Sequence, residues 1–101
     1  MLVVLIYCIY NYCMDISYDT VKNETNIEKH GVALAAAGDF EWEEALSWID
    51  ARKDYGETRM CSIGYIGSRL YHVVYVDRND VRRIISLRKA NIKEVDRYAE
   101  A

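Results

Sequence analysis

Proline is missing from all 101 residues, and cysteine and histidine are scarce, at three and two. Without proline there is no Pro-rich linker, and no repeat or low-complexity tract divides the chain. The cysteines Cys8, Cys13 and Cys61 are odd in number, which argues against a disulfide framework and for a reducing cytoplasm. They lack metal-ligand spacing, and His30 and His72 stand far apart, which argues against zinc. No apolar run reaches the ~20 residues that a bilayer span needs. No basic leader with a small-residue cleavage site opens the chain either.

Positive charge is short in the first half. Residues 1–51 carry two Lys/Arg against nine Asp/Glu, whereas residues 52–101 carry eleven against seven. The formal net charge of −3 argues against an obligate nucleic-acid binder. A basic half still attracts phosphate locally, because salt screens charges beyond roughly 8 Å. Residues 1–13 are uncharged and rich in Val, Leu, Ile and Tyr. We read them as an upstream start assignment, with Met14 the natural initiator of a single domain over 14–101. The rival reading is an extra strand on a sheet edge, since a free segment of this kind is aggregation-prone.

At this length the chain holds one modest core. A short strand near Ile16–Tyr18 leads to Asp19, a helix N-cap, and the helix runs to about Lys29 with Gly31 as its C′ residue. Small residues 33–37 suggest a helical turn. Asp39 offers a second N-cap, with Trp42, Ala45, Leu46 and Ile49 at helical spacing behind it. A polar loop over 50–57 precedes three strands, from about Thr58 to Ile66, Arg69 to Asp77 and Val81 to Leu87. Gly67-Ser68 suits a two-residue hairpin and Arg78-Asn79-Asp80 a longer one. The expectation is an α+β domain with an antiparallel sheet in the order β-α-α-β-β-β-α.

The last strand, with Ile84 and Ile85, delivers Arg83, Ser86, Arg88 and Lys89 to a helix that Asn91 and Glu94 open as a capping box. Guanidiniums beside a helix start are a phosphate-site pattern, because Arg holds phosphate bidentately. By strand parity, Arg82, Ser86 and Arg88 share one face and Arg83 takes the other. Glu57 and Arg59, two apart, face one side, either as a functional pair or as a surface salt bridge worth at most about 1 kcal/mol. His30 offers an imidazole suited to proton transfer, but as a helix-end residue it is also favoured by the macrodipole. Lys29 either holds phosphate or is a solvated helix-end lysine. Arg69 is equally a phosphate contact or a solvated hairpin-end residue. His72, mid-strand, is read as a packing histidine, and the tyrosines mostly as core. Trp42 and Trp48 are assigned to helix packing or a partner surface.

Three segments carry a resemblance when taken in order: Asn26-Ile-Glu-Lys29-His30-Gly31-Val32, Asp54-Tyr-Gly-Glu57-Thr-Arg59 with Ile63-Gly64, and the Arg83–Tyr98 stretch. Together they resemble the BrnT family of bacterial type II toxins, over essentially all of residues 14–101. The resemblance implies a small RelE-like ribonuclease that uses no cofactor. It further implies a BrnA-type ribbon-helix-helix antitoxin, which would bring promoter DNA in indirectly, and it admits a toxin dimer within the complex.

Metal-free RNA cleavage requires a base for the 2′-hydroxyl, cations for the charged phosphorane and an acid for the leaving oxygen. On the resemblance, Lys29, His30 and Glu57 are the proton-transfer candidates. Arg59 and Arg88 are the catalytic cations, Arg88 foremost. Arg69, Arg82, Arg83, Ser86 and Lys89 would bind phosphate; Arg82 and Arg83 serve equally as antitoxin contacts. The chain departs from the family at Asp19-Thr20, where Asp-Pro is common, and in a longer spacing from Gly31 to Trp42. The rival reading is a non-catalytic module whose basic surface binds nucleic acid or a partner.

Overall fold

A computed structural model describes residues 2–9, 12–51 and 56–101, with side chains from residue 15 onward. Residues 52–55, within the expected polar loop and the Asp54–Arg59 motif, lie outside the described residues. Six strands form one sheet in the order β1-β2-β6-β5-β4-β3. They are β1 (Leu2–Ile9), β2 (Tyr12–Asp19), β3 (Leu46–Ile49), β4 (Met60–Ile66), β5 (Arg69–Arg78) and β6 (Val81–Lys89). The helices are α1 (Thr20–His30) and α2 (Ile92–Glu100), with 3₁₀ segments at Leu34–Asp39 and Trp42–Glu44. No helix among the described residues is long and apolar enough to cross a membrane.

Local signals place most of these elements. Asp19 Oδ1 accepts the N–H groups of Val21 and Lys22, at 2.8 and 3.2 Å, and so starts α1. Gly31 ends it at φ 71°, its N–H donating to Ile27 O at 2.8 Å. Asn91 and Glu94 cap α2 reciprocally, as the spacing predicts. The β5–β6 connection is tighter than expected. Arg78 pairs directly with Val81, leaving Asn79 and Asp80 as a two-residue turn with φ of 50° and 64°.

Three expectations need correction. The sheet is mixed, because β2 runs parallel to β6 over Asp15–Ser17 and Val81–Arg83. A long crossover through α1 and the hairpins makes that possible. The helix expected from Asp39 is absent. Asp39 closes the first 3₁₀ segment, and Leu46–Ile49 form strand β3, paired antiparallel with β4. Leu46, Trp48 and their neighbours alternate half-buried and exposed, so this short apolar run fits a period of two as well as a helix. Strand pairing decides it, aided by Ser47 Oγ bonding Ser62 Oγ at 2.7 Å. Lastly, the residue parity expected along β6 is interrupted by a bulge opposite Val74 and Tyr75.

The two faces of the sheet differ in cover. One carries the larger core, in which Ile16, Leu34, Ala37, Phe40, Val73, Ile84 and Leu87 are fully buried. Phe40, the single phenylalanine, lies so close to Gly64 that a Cβ there would stand 2.7 Å from its ring. Helix α1 docks mainly through an amide. Asn26 donates to Leu87 O at 2.7 Å and to Val32 O at 2.9 Å, and accepts from Leu87 N at 3.2 Å. Its side chain thus replaces the strand neighbour that β6 loses where β2 turns into α1. On the other face, Ile63, Leu70 and Ala90 pack under Val95 and Tyr98 of α2 and beside Trp48 and Tyr65. That smaller core leaves part of its face open.

Candidate functional site

The open part is a groove between β3, the start of α2, and the centres of β4, β5 and β6. Two adjoining hollows of about 450 and 250 Å³ share Asp50, His72 and Arg88. Trp48, Cys61 and Glu94 line the larger; Arg59 and Ser86 line the smaller.

Glu94 organises this groove. Its Oε1 accepts the Asn91 N–H at 2.9 Å and Arg88 Nη1 at 2.8 Å, while Oε2 accepts Arg88 Nη2 at 2.8 Å. The carboxylate that completes the helix cap therefore also holds the arginine in a two-bond fork. His72 Nε2 lies 3.7 Å from the same Oε2. Burial alone would raise the Glu94 pKa. The Arg88 hydrogen bonds, the Asn91 N–H and the neighbouring His72 and Arg88 charges outweigh it, so the net shift is downward. Glu94 is thus held as an anion, and Arg88 is positioned before any ligand arrives.

His72 is buried, as a packing histidine should be, with Trp48 beside it at a ring separation of 5.8 Å. It nevertheless faces the groove from both hollows. The β6 bulge brings it there opposite Arg88. Counting back from the Arg78–Val81 turn pairs His72 with Leu87; the extra residue shifts its partner to Arg88. Asp50, also buried, is another groove residue outside the candidate set, as are Cys61 and Glu94. Its N–H donates to Arg59 O at 2.8 Å, just beyond the β3–β4 ladder.

The sequence-selected residues divide. Arg59, Ser86 and Arg88 come together in the groove. Arg82 does not join them, contrary to its expected parity. It binds Asp77 through two bonds of 2.7 and 2.9 Å and lies over Tyr75 and Trp42, 4.3 and 4.6 Å from their ring centres. Tyr75 belongs to the larger core on the opposite face. Arg83 takes the parity expected of Arg82: it sits opposite Val76, which alternates with Val74 and His72. Glu57, expected beside Arg59, accepts a bond from Arg78. Lys29 and His30 are exposed at the end of α1, Arg69 is exposed at the start of β5 and Lys89 at the end of β6. None of these four lines the groove.

The aromatic assignments also divide. Trp42 packs against Phe40 and Tyr75 and donates from Nε1 to Ala37 O at 3.2 Å. Trp48 instead forms a wall of the groove, with the Arg97 guanidinium 4.0 Å from its ring centre. Tyr98 donates to Glu44 O at 3.2 Å and meets Tyr65 edge-on. Burial, followed by Glu44, Tyr65 and Glu41, raises its pKa.

A fixed guanidinium fork, a second arginine and an imidazole on one concave surface can bind a phosphodiester and move a proton near it. A family model described as "Ribonuclease toxin, BrnT, of type II toxin-antitoxin system" matches residues 18–94, about three quarters of the chain. No curated protein matches the chain. The chain belongs to the BrnT family, ribonuclease toxins of type II toxin–antitoxin systems, and such a toxin has an antitoxin partner.

Proposed function

From that membership, we propose that the protein is a metal-independent endoribonuclease that binds the scissile phosphate of RNA in the Arg88 groove. The observation that carries this reading is the bidentate Arg88–Glu94 pair, open to a hollow that Arg59 and His72 also line. An approaching phosphodiester offers Arg88 a second bidentate acceptor. Arg59 adds positive charge on the β4 side. Cations fixed in advance stabilise the charge that develops on the phosphorane without reorganising at the moment of reaction.

The RelE-like architecture is part of this proposal, and the α+β fold with helices on a mixed sheet supports it. So is a BrnA-type DNA-binding antitoxin, through which promoter DNA would be engaged indirectly. A cytoplasmic location, where cellular RNA is available as substrate, belongs to the same proposal. The proton-transfer roles expected of Lys29, His30 and Glu57 gain no support from the groove, which none of the three lines.

The test is cleavage of a defined RNA by the antitoxin-free protein in EDTA, beside an Arg88→Ala variant checked for folding. Cleavage by the parent and a loss of about 10² to 10³-fold in the variant are expected. A folded parent that binds RNA and leaves it intact would favour the non-catalytic reading. In that case the salt dependence alone remains, with a log–log slope of about −0.7 per phosphate neutralised.

A further inference from the structure

We infer that His72 is the proton-transfer residue of this groove, taking the proton from the attacking 2′-hydroxyl of RNA; the inference rests on the ribonuclease reading above. Three observations lead to it. His72 lines both hollows, so a phosphate held by Arg88 lies within reach of the ring. It stands directly across the β5–β6 ladder from Arg88, which sets base and cation on neighbouring strands. Its Nε2 faces Glu94 Oε2 at 3.7 Å, so an imidazolium formed during reaction gains a nearby anion.

The exposed alternatives, Lys29 and His30, have no such placement. Asp50 and Glu94 are the other groove carboxylates, but Glu94 is already committed to Arg88 and the Asn91 N–H. The charged or titratable groups facing His72 are Glu94 of α2, Arg88 of β6, Cys61 of β4, and Asp50 and Arg59 flanking the β3–β4 connection.

The chemistry balances without a co-reactant. O2′ attacks phosphorus and forms an O2′–P bond while the P–O5′ bond breaks. The proton that O2′ gives to the neutral imidazole passes, directly or through water, to the leaving O5′. The products are a 2′,3′-cyclic phosphate and a 5′-hydroxyl, and His72 returns to its starting form. Arg88 engages the non-bridging oxygens throughout.

The experiment compares wild type with His72→Asn and His72→Gln on an RNA oligonucleotide and on the same strand with a 2′-deoxy scissile nucleotide. Wild type should release a cyclic-phosphate end from RNA and leave the deoxy strand intact. Both variants should bind RNA within about threefold of wild type yet cleave it about 10² to 10⁴-fold more slowly. Cleavage by a folded variant within twofold of wild type overturns the assignment and leaves the ribonuclease reading standing. A wild type that binds RNA without cutting it overturns both. Should neither variant fold, wild type alone decides. With only two histidines, NMR titration resolves His72 from His30. The ascending limb of the rate–pH profile must then follow the His72 titration, and a profile indifferent to it rejects the proposal.

Discussion

Arg82 and Arg88 lie six residues apart on β6, and each holds a carboxylate with two hydrogen bonds. They differ in what surrounds the fork. Arg82 is walled by Trp42 and Tyr75, and its partner Asp77 is half open to water. The partner of Arg88, Glu94, is more buried than Asp77. Beyond it lies a groove that holds Arg59 and His72. The same pairing is therefore a staple at one end of the strand and a poised binding site at the other. What separates them is packing around the pair, and behind that the bulge that sends the two arginines to opposite faces.

The comparison breaks most visibly through activity. Arg88→Ala should lose about 10² to 10³-fold in RNA cleavage, whereas Arg82→Ala should change it less than about threefold. Thermal unfolding should instead report Arg82→Ala, at a cost of about 1–3 kcal/mol from the lost hydrogen bonds and ring contacts. Packing on the Arg82 face is sharpened by Gly64→Ala. The new methyl would press on Phe40, which is fully buried and cannot swing clear, so denaturant melts should show a loss of about 1–3 kcal/mol.

A smaller effect tests the support beneath Arg88. Asn91→Ala removes the side-chain acceptor from the Glu94 N–H and should cost about 1 kcal/mol by the same measurement. The final effect is seen in pH. Because the folded-state pKa of Glu94 is lowered from 4.5, its stabilising contribution is complete above the unfolded value. It is lost as pH falls through the depressed folded value. Urea midpoints of wild type should therefore drop below about pH 4.5, and Glu94→Gln should flatten that part of the drop. The same variant, by releasing Arg88, should bind RNA more tightly while cutting it less.

Much of this arrangement is legible before any coordinates. Asp19, Gly31 and the Asn91–Glu94 box declare their helices because capping is local chemistry. The three C-terminal strands and the choice of Arg88 follow from β-branched runs and turn residues. Non-local pairing is where such reading stops. The segment 46–49 matches two periods, and only its partner β4 selects the strand. A bulge leaves no simple trace in composition, yet it exchanges the faces of Arg82 and Arg83. It also moves Arg88 opposite His72, so a histidine that looks like filler becomes a groove residue. Asp50 escapes notice for the same reason, since its burial depends on a neighbouring strand.

The most direct measurement is the side-chain Nε–H resonances of Arg82 and Arg88 while an uncleavable 2′-O-methyl RNA is added. The account predicts that Arg88 shifts with saturating RNA and Arg82 stays in place. Movement of Arg82 with Arg88 unmoved would contradict it.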